Sequence, residues 1–472
     1  MAETETGATA RLAEWICQQR TDDLPPYVPH QSRRLFLDHL GAAVPGAATG
    51  ESRALRAYLG EVYAGDEAVV VGAAGLSAPG AAYANAAAAH SQDLDDGYTP
   101  GGVHPSSPTL PAVLAAAQRH RVGPDRTLLA AAVAVEVTCR VAAAGHPAIR
   151  EYGFHNTCAA GVFGAAAGVS VLLGLDARRT AYALGLAGSH AGGLMQFLHG
   201  GDGIKRMHAG RAARDGLTCA ELAARGISGP ADVLEGRYGY FATFARGSWD
   251  PSALVDDLGE VWRMTRTYVK PYPGCRDAHG PVDAALRLRH EHGLTAGDVA
   301  QATVATLTRV AARPAHEPDT AFNAQMSIPY NVAVAFADGE VGLAQFGDDR
   351  RADPGLLDLA DRIGVEGSAE CDRQFPSRRP SILTVLARDG RTFVERVENP
   401  VGEPDNPMSD EALTAKFVRQ CAPVLGTEDA EALADVIWRF DDLAALDRAL
   451  RGERRAERTK TPDVPLGRRS RR

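Results

Sequence analysis

Ala81-Ala82-Tyr83-Ala84-Asn85-Ala86-Ala87-Ala88-Ala89 runs straight into His90-Ser91-Gln92-Asp93-Leu94-Asp95-Asp96-Gly97-Tyr98, and His104-Pro105-Ser106 follows one loop later. The alanine run predicts a tightly packed helix, because alanine has the best helix propensity and no long side chain to hold neighbours apart. Residues 109–119 read as a second Ala-rich amphipathic helix. Three carboxylates (Asp93, Asp95, Asp96) and two imidazoles (His90, His104) therefore fall where one close-packed helix ends and the next begins. Acids and imidazoles at such a junction can move protons near neutral pH.

The same small-residue texture extends to about residue 270. Helices are expected at 128–144, 159–173, 178–186 and 211–224. Gly161, Gly164, Gly168 and Gly210 lie on their faces among alanines. Glycine inside a helix costs about 1 kcal/mol relative to alanine, so close helix packing must compensate. No heptad is sustained, which excludes a coiled coil. The texture changes at Tyr272-Pro273-Gly274. A helix is expected at 280–290 and a strand at 301–310; 330–337 and 354–363 read as helical. Residues 382–387 and 391–397, joined by Asp389-Gly390, read as a β-hairpin. After Glu403-Pro404-Asp405-Asn406-Pro407, Ser409 is a plausible N-cap and helices return. The expected fold is mainly α with an inserted α+β domain. A large helical domain spans 1–272 and 400–452, a smaller lid domain 273–399, and a basic tail 453–472 is expected to be disordered.

Composition narrows the function. The net charge of −9 argues against nucleic acid as a partner. Seven cysteines without C-x-x-C spacing suit a reduced compartment and no zinc or iron–sulfur centre. The opening residues lack the features of a signal peptide. The apolar run 158–175 is mostly alanine and glycine, as in a buried helix rather than a membrane span. The expected location is cytoplasmic, with no membrane association. G-x-G-x-x-G, H-E-x-x-H and G-x-S-x-G are absent from the chain.

Two further stretches could carry chemistry. Gly200-Gly201-Asp202-Gly203 opens a helix whose first turns hold Lys205, Arg206, His208 and Arg211. Cations at a helix N-terminus oppose the macrodipole and call for an anionic partner, either substrate carboxylates or structural acids. Tyr268-Val269-Lys270-Pro271-Tyr272-Pro273-Gly274-Cys275 and His279 lie at the domain junction, where small-molecule sites are common; a rigid linker reads equally well. His155 precedes a helix start and Tyr330 opens a lid helix, positions that capping and packing also explain. An acid-rich cluster, Asp93 to Asp96, could instead bind Mg²⁺ in a metal-dependent helical enzyme. A non-catalytic binding protein is a third class.

Taken in order, these pieces resemble the MmgE/PrpD family of 2-methylcitrate dehydratase, cis-aconitate decarboxylase and iminodisuccinate epimerase. They are Asn85…His90…Asp93-Leu94-Asp95-Asp96…His104-Pro105, Gly153-Phe154-His155, Lys205-Arg206…His208-Ala209-Gly210, Lys270-Pro271-Tyr272-Pro273-Gly274-Cys275…His279, Ser327-Ile328-Pro329-Tyr330 and Asn406-Pro407-Met408-Ser409. The resemblance covers residues 10–450. It implies a homodimer with a cleft between helical domain and lid, and no cofactor or bound metal. It places Asp93, His104, His155, Lys205, Lys270 and Tyr330 as catalytic residues, with Asp96, Arg206, His208, Cys275 and His279 in substrate binding. The expected substrate is a small di- or tricarboxylic acid, and the expected reaction a proton abstraction beside a carboxylate. Dehydration is placed ahead of decarboxylation, with epimerisation as the remaining branch. One departure stands out: family members carry threonine where this chain has Gly97, and the loop to His104 is one residue longer.

Overall fold

The alanine run forms a helix, Ala78–Ala89, and His90 sits at its C-cap. In the computed structural model, the described residues are 7–452 except 202, 314–316 and 376; the basic segment 453–472 lies outside them. The helices that build the site region are α1 (Tyr27–Ala47), α2 (Ala78–Ala89), α3 (Ser106–His120), α4 (Pro124–Gly145), α5 (Gly161–Leu173), α6 (Ala177–His190) and α7 (Gly203–Ala224). α5 is apolar on every side and packs against α3, α4 and α7, while α7 packs against α2 and α6. Missing side chains make these approaches possible. A Cβ on Gly168 of α5 would lie 2.7 Å from Ala134 Cβ of α4, and one on Gly216 of α7 would lie 2.6 Å from the Val162 carbonyl of α5. α4 and the run Asn156–Leu173 are long and apolar enough to cross a membrane, yet both are buried inside this fold.

The first 270 residues are less purely helical than their texture suggests. Ala68–Val70 (β1) and Ala73–Leu76 (β2) form a small antiparallel hairpin. Residues 225–270 hold only short helical turns.

A second apolar core begins at Ala278 and ends at Val397. Its sheet is built from β3 (Val299–Thr306), β4 (Ile363–Gly367), β5 (Ser381–Ala387) and β6 (Thr392–Val397) in the order β4-β3-β5-β6. β3 pairs in parallel with β4 and antiparallel with β5, so Val304 faces Val365 on one side and Leu383 on the other. Asp389-Gly390 makes the β5–β6 turn, with Gly390 at φ 86° and Asp389 accepting from the Arg391 amide. Helices α8 (His279–His292) and α9 (Ile328–Asp338) pack against each other in this core. The chain then returns. Ser409 caps α10 (Asp410–Leu425) through the Ala412 amide, and α10 packs on α1. Met408, Phe417 and Leu450 belong to the same apolar core as Leu12 and Ala166. The smaller core is thus an insertion between two parts of the larger one.

Candidate active site

The loop between α2 and α3 sends its three carboxylates in three directions. Asp93 has φ 50°, a left-handed backbone that side-chain-bearing residues seldom adopt, although aspartate tolerates it better than most. That conformation is held from several sides. The Asp93 carbonyl accepts from Lys270 Nζ at 2.9 Å and from the Gly274 amide at 3.1 Å. Its Oδ1 lies 2.5 Å from Lys205 Nζ, at the start of α7, and 3.1 Å from Lys270 Nζ. Burial alone would raise the Asp93 pKa. Lys205 and Lys270, with His104, outweigh it and hold the carboxyl well below the usual range. Two ammonium groups therefore share one carboxylate.

Asp95 turns to the imidazoles. It lies 2.7 Å from His90 Nδ1 and 3.4 Å from His104 Nδ1, and it also accepts from the Ser107 hydroxyl. Burial opposes its ionisation, but His90 and His104 overcome that and keep its pKa well down. Asp96 faces Ser106, which donates from its hydroxyl at 2.6 Å and its amide at 3.2 Å. Burial, reinforced by Asp38, pushes the Asp96 pKa well up. The Asp96 carbonyl accepts from His104 Nδ1 at 2.7 Å, which leaves His104 Nε2 as its other ring nitrogen for chemistry.

Four imidazoles gather here. His90 stacks on His155 with centroids 5.7 Å apart and meets the edge of His104 at 5.0 Å. The Nδ1 atoms of His155 and His208 face each other at 3.0 Å, so one is protonated and the other bare. Phe197 covers His155 at 5.2 Å. Burial first, then surrounding cations, lowers the pKa of His104 to about 3 and that of His208 to about 4; His155 moves well down for the same reasons. These rings are neutral at pH 7 and can accept a proton, and an incoming polyanion would raise their affinity for one.

The smaller core closes on this loop. Gln325 Nε2 donates to the Gln92 carbonyl at 3.0 Å, and the Cys275 amide donates to the Gln325 carbonyl at 2.9 Å. His279 is buried against Tyr272, its pKa lowered to about 3 chiefly by burial and next by Lys270. Gly97 pairs with Tyr268 through two backbone hydrogen bonds of 3.0 and 2.8 Å. A Cβ at Gly97 would lie 2.7 Å from Tyr268 Cε1 and closer still to its hydroxyl, which explains the glycine.

Asp93, His104, His155, Lys205, Lys270 and His208 thus come together, with Asp96 and His279 at the edge. Others go elsewhere. Tyr330 lies apart from them: its hydroxyl donates to the Gln345 carbonyl at 2.7 Å and its ring packs on Phe346, inside the smaller core. Arg206 pairs with Glu51 at 3.1 Å, and Cys275 Sγ lies 3.7 Å from an Arg313 nitrogen. His90 and Asp95, which the opening stretch placed in the proton-moving cluster without a separate role, pair with each other here. His90 is the C-cap of α2, and Asp95 comes back to it five residues along the loop. Ser107, Phe197 and Thr157, whose hydroxyl accepts from the His104 amide at 3.2 Å, carry no sequence signal that sets them apart from packing residues. Among the described residues, His90, Asp95 and His104 have donor atoms within 4.8 Å of one another and could meet a metal ion. The divergence of Asp93, Asp95 and Asp96 removes the shared carboxylate geometry that a Mg²⁺ site would need. A groove of about 880 Å³ runs between α10 and helix Thr427–Arg439, but its lining holds no histidine or lysine.

Fold and site together define a helical acid–base enzyme with a lysine-lined centre. Residues 10–252 match the MmgE/PrpD N-terminal domain, and residues 272–442 match the MmgE/PrpD C-terminal domain. The chain is 30% identical over 466 residues to a cis-aconitate decarboxylase of Aspergillus terreus, covering 93% of this chain and 94% of that one. It is 28% identical over 460 residues to the cis-aconitate decarboxylase of Homo sapiens, covering 93% and 92%. The corresponding protein of Mus musculus is 27% identical over 461 residues, covering 94% and 93%. The chain belongs to the MmgE/PrpD family.

Proposed function

We propose that this protein is a lyase that decarboxylates a cis-aconitate-type tricarboxylate without a cofactor. The observation that carries this reading is the Lys205–Asp93–Lys270 clamp beside the neutral ring of His104. The motifs alone put dehydration first; the relatives named cis-aconitate decarboxylase, similar along nearly the whole chain, move decarboxylation ahead of it.

The chemistry fits such a site. The C–C bond to the methylene-borne carboxylate breaks and CO₂ leaves. The electron pair enters the allyl system, the double bond shifts, and charge builds on the carboxylate conjugated to it. A proton then adds at the distal carbon, giving a methylene-substituted succinate. Lys205 and Lys270 are placed to hold carboxylates and neutralise that charge, which preorganised cations do best where water is excluded. His104 takes up a proton when the polyanion enters and delivers it to carbon. Asp93 spaces the lysines, and Asp95 orients His90 and His104. The test is proton and carbon NMR of the purified protein with cis-aconitate in D₂O, beside citrate and methylcitrate. Release of CO₂ with one deuterium in the product supports the reading. Unchanged cis-aconitate alongside dehydration of methylcitrate overturns it.

A further inference from the structure

We infer that the Tyr268 hydroxyl is a substrate-binding donor in this centre and that Gly97 is what admits it. The inference rests on the functional reading above. Tyr268 precedes Lys270 by two residues, and its backbone is bridged to Gly97, next to the Asp96 carbonyl that holds His104. The ring lies over the Gly97 α-carbon, in space that any β-carbon would take. On the ring, the Arg276 guanidinium sits 3.9 Å from the centroid. Arg276 is itself tied to both carboxylate oxygens of Glu403 and to the Thr99 hydroxyl. The phenol is therefore clamped between a bare backbone and a fixed cation, a geometry that lowers the entropy cost of using its hydroxyl.

That hydroxyl makes no hydrogen bond to any described residue, although most of the ring is covered. Burial raises its pKa above all else, and Arg276, Arg379 and Asp93 are near enough to act on it as well. It stays a neutral O–H donor beside the charges that hold the site together. A protonated donor near Asp93, with Arg276 on its ring and Arg379 close by, suits a substrate carboxylate or its hydroxyl-bearing analogue. A purely packing role would be met equally well by phenylalanine.

The experiment compares wild type, Tyr268→Phe, Gly97→Ala and the double variant. Calorimetry measures cis-aconitate binding, NMR measures its turnover, and thermal melts check folding. Tyr268→Phe should lose about tenfold to a hundredfold in affinity with its melting temperature unchanged, as expected for a hydrogen bond to a charged group. Gly97→Ala should displace the phenol and lose a similar factor, and the double variant should be no worse than the weaker single variant. Wild-type affinity in a folded Tyr268→Phe protein overturns the assignment and leaves the functional reading standing, as do additive losses. A wild-type protein that neither binds nor converts cis-aconitate overturns the functional reading and this inference with it.

Discussion

Two clusters of buried charge, one inside the larger core and one where the smaller core meets it, are built to different rules. Arg140 is wholly buried and all of its N–H groups are engaged. It donates to Glu136, to Asp257 and to the carbonyls of Asp256 and Val261 at 2.6–2.8 Å, with longer contacts to Leu254 and Asp257. The second Glu136 oxygen accepts from the Met264 amide at 2.9 Å. The centre around Asp93 is left incomplete: His90 Nε2, His279 Nε2 and Asp95 Oδ1 are buried without a hydrogen-bond partner. Buried polar groups are normally paired, and an unpaired one costs about 1–3 kcal/mol. One cluster uses its hydrogen-bonding capacity to fasten residues 254–264 to α4. The other keeps capacity that a ligand can fill.

Substitutions should separate the two. His104→Ala should lower turnover of cis-aconitate by roughly 10²–10⁴-fold, the usual worth of a general acid or base. Its stability should fall by about 1–3 kcal/mol, because the Asp96 carbonyl loses the Nδ1 donor while no hydrogen bond ends on Nε2. Wild-type turnover in this variant would break the comparison. Glu136→Ala should do the reverse and cost about 3–5 kcal/mol in denaturant unfolding, since it strands a buried guanidinium. Replacing Glu136 with leucine and Arg140 with methionine together should cost much less. If the double variant is as unstable as Glu136→Ala, the partners outside the pair carry the effect.

The sequence was readable wherever a local rule decides the outcome. Asp389-Gly390 made its turn and Ser409 its cap, because both depend on a few consecutive residues. Lys205, Lys270 and Asp93 meet across long separations, and only a resemblance over the whole chain could group them. β4 escaped notice because Ile363–Gly367 has two glycines in five residues and one buried position. Where the Tyr330 hydroxyl points is illegible in the sequence for a related reason. A tyrosine at a helix start looks alike whether its hydroxyl faces a cleft or, as here, a carbonyl in its own core. Gly97 registered only as a departure from the family, since Tyr268, which explains it, lies far along the chain.

Acid should also discriminate between the buried imidazoles of the open cluster and the buried carboxyls of both clusters, Asp96 and Glu136, through opposite signs. His104, His155, His208 and His279 all have folded pKa values lowered first by burial, to about 3 or 4 where a value can be given. In the unfolded chain each sits near 6.5. Above about pH 6.5 neither state is protonated at these rings, so they leave stability unchanged. Below it the unfolded state binds protons that the folded state refuses, and stability falls as pH drops toward the folded values. Each such ring removes on the order of 1 kcal/mol per pH unit in that window. Glu136 works the other way, because burial raises its pKa and the folded state takes up its proton first. The melting temperature should therefore fall steadily from pH 7 to pH 5. A variant with His155→Gln and His208→Gln should fall less steeply, and Glu136→Gln should not flatten the slope at all. A slope that His155→Gln with His208→Gln leaves unchanged would mean that these rings are already charged in the folded protein, and the open cluster would lose its neutral proton acceptors.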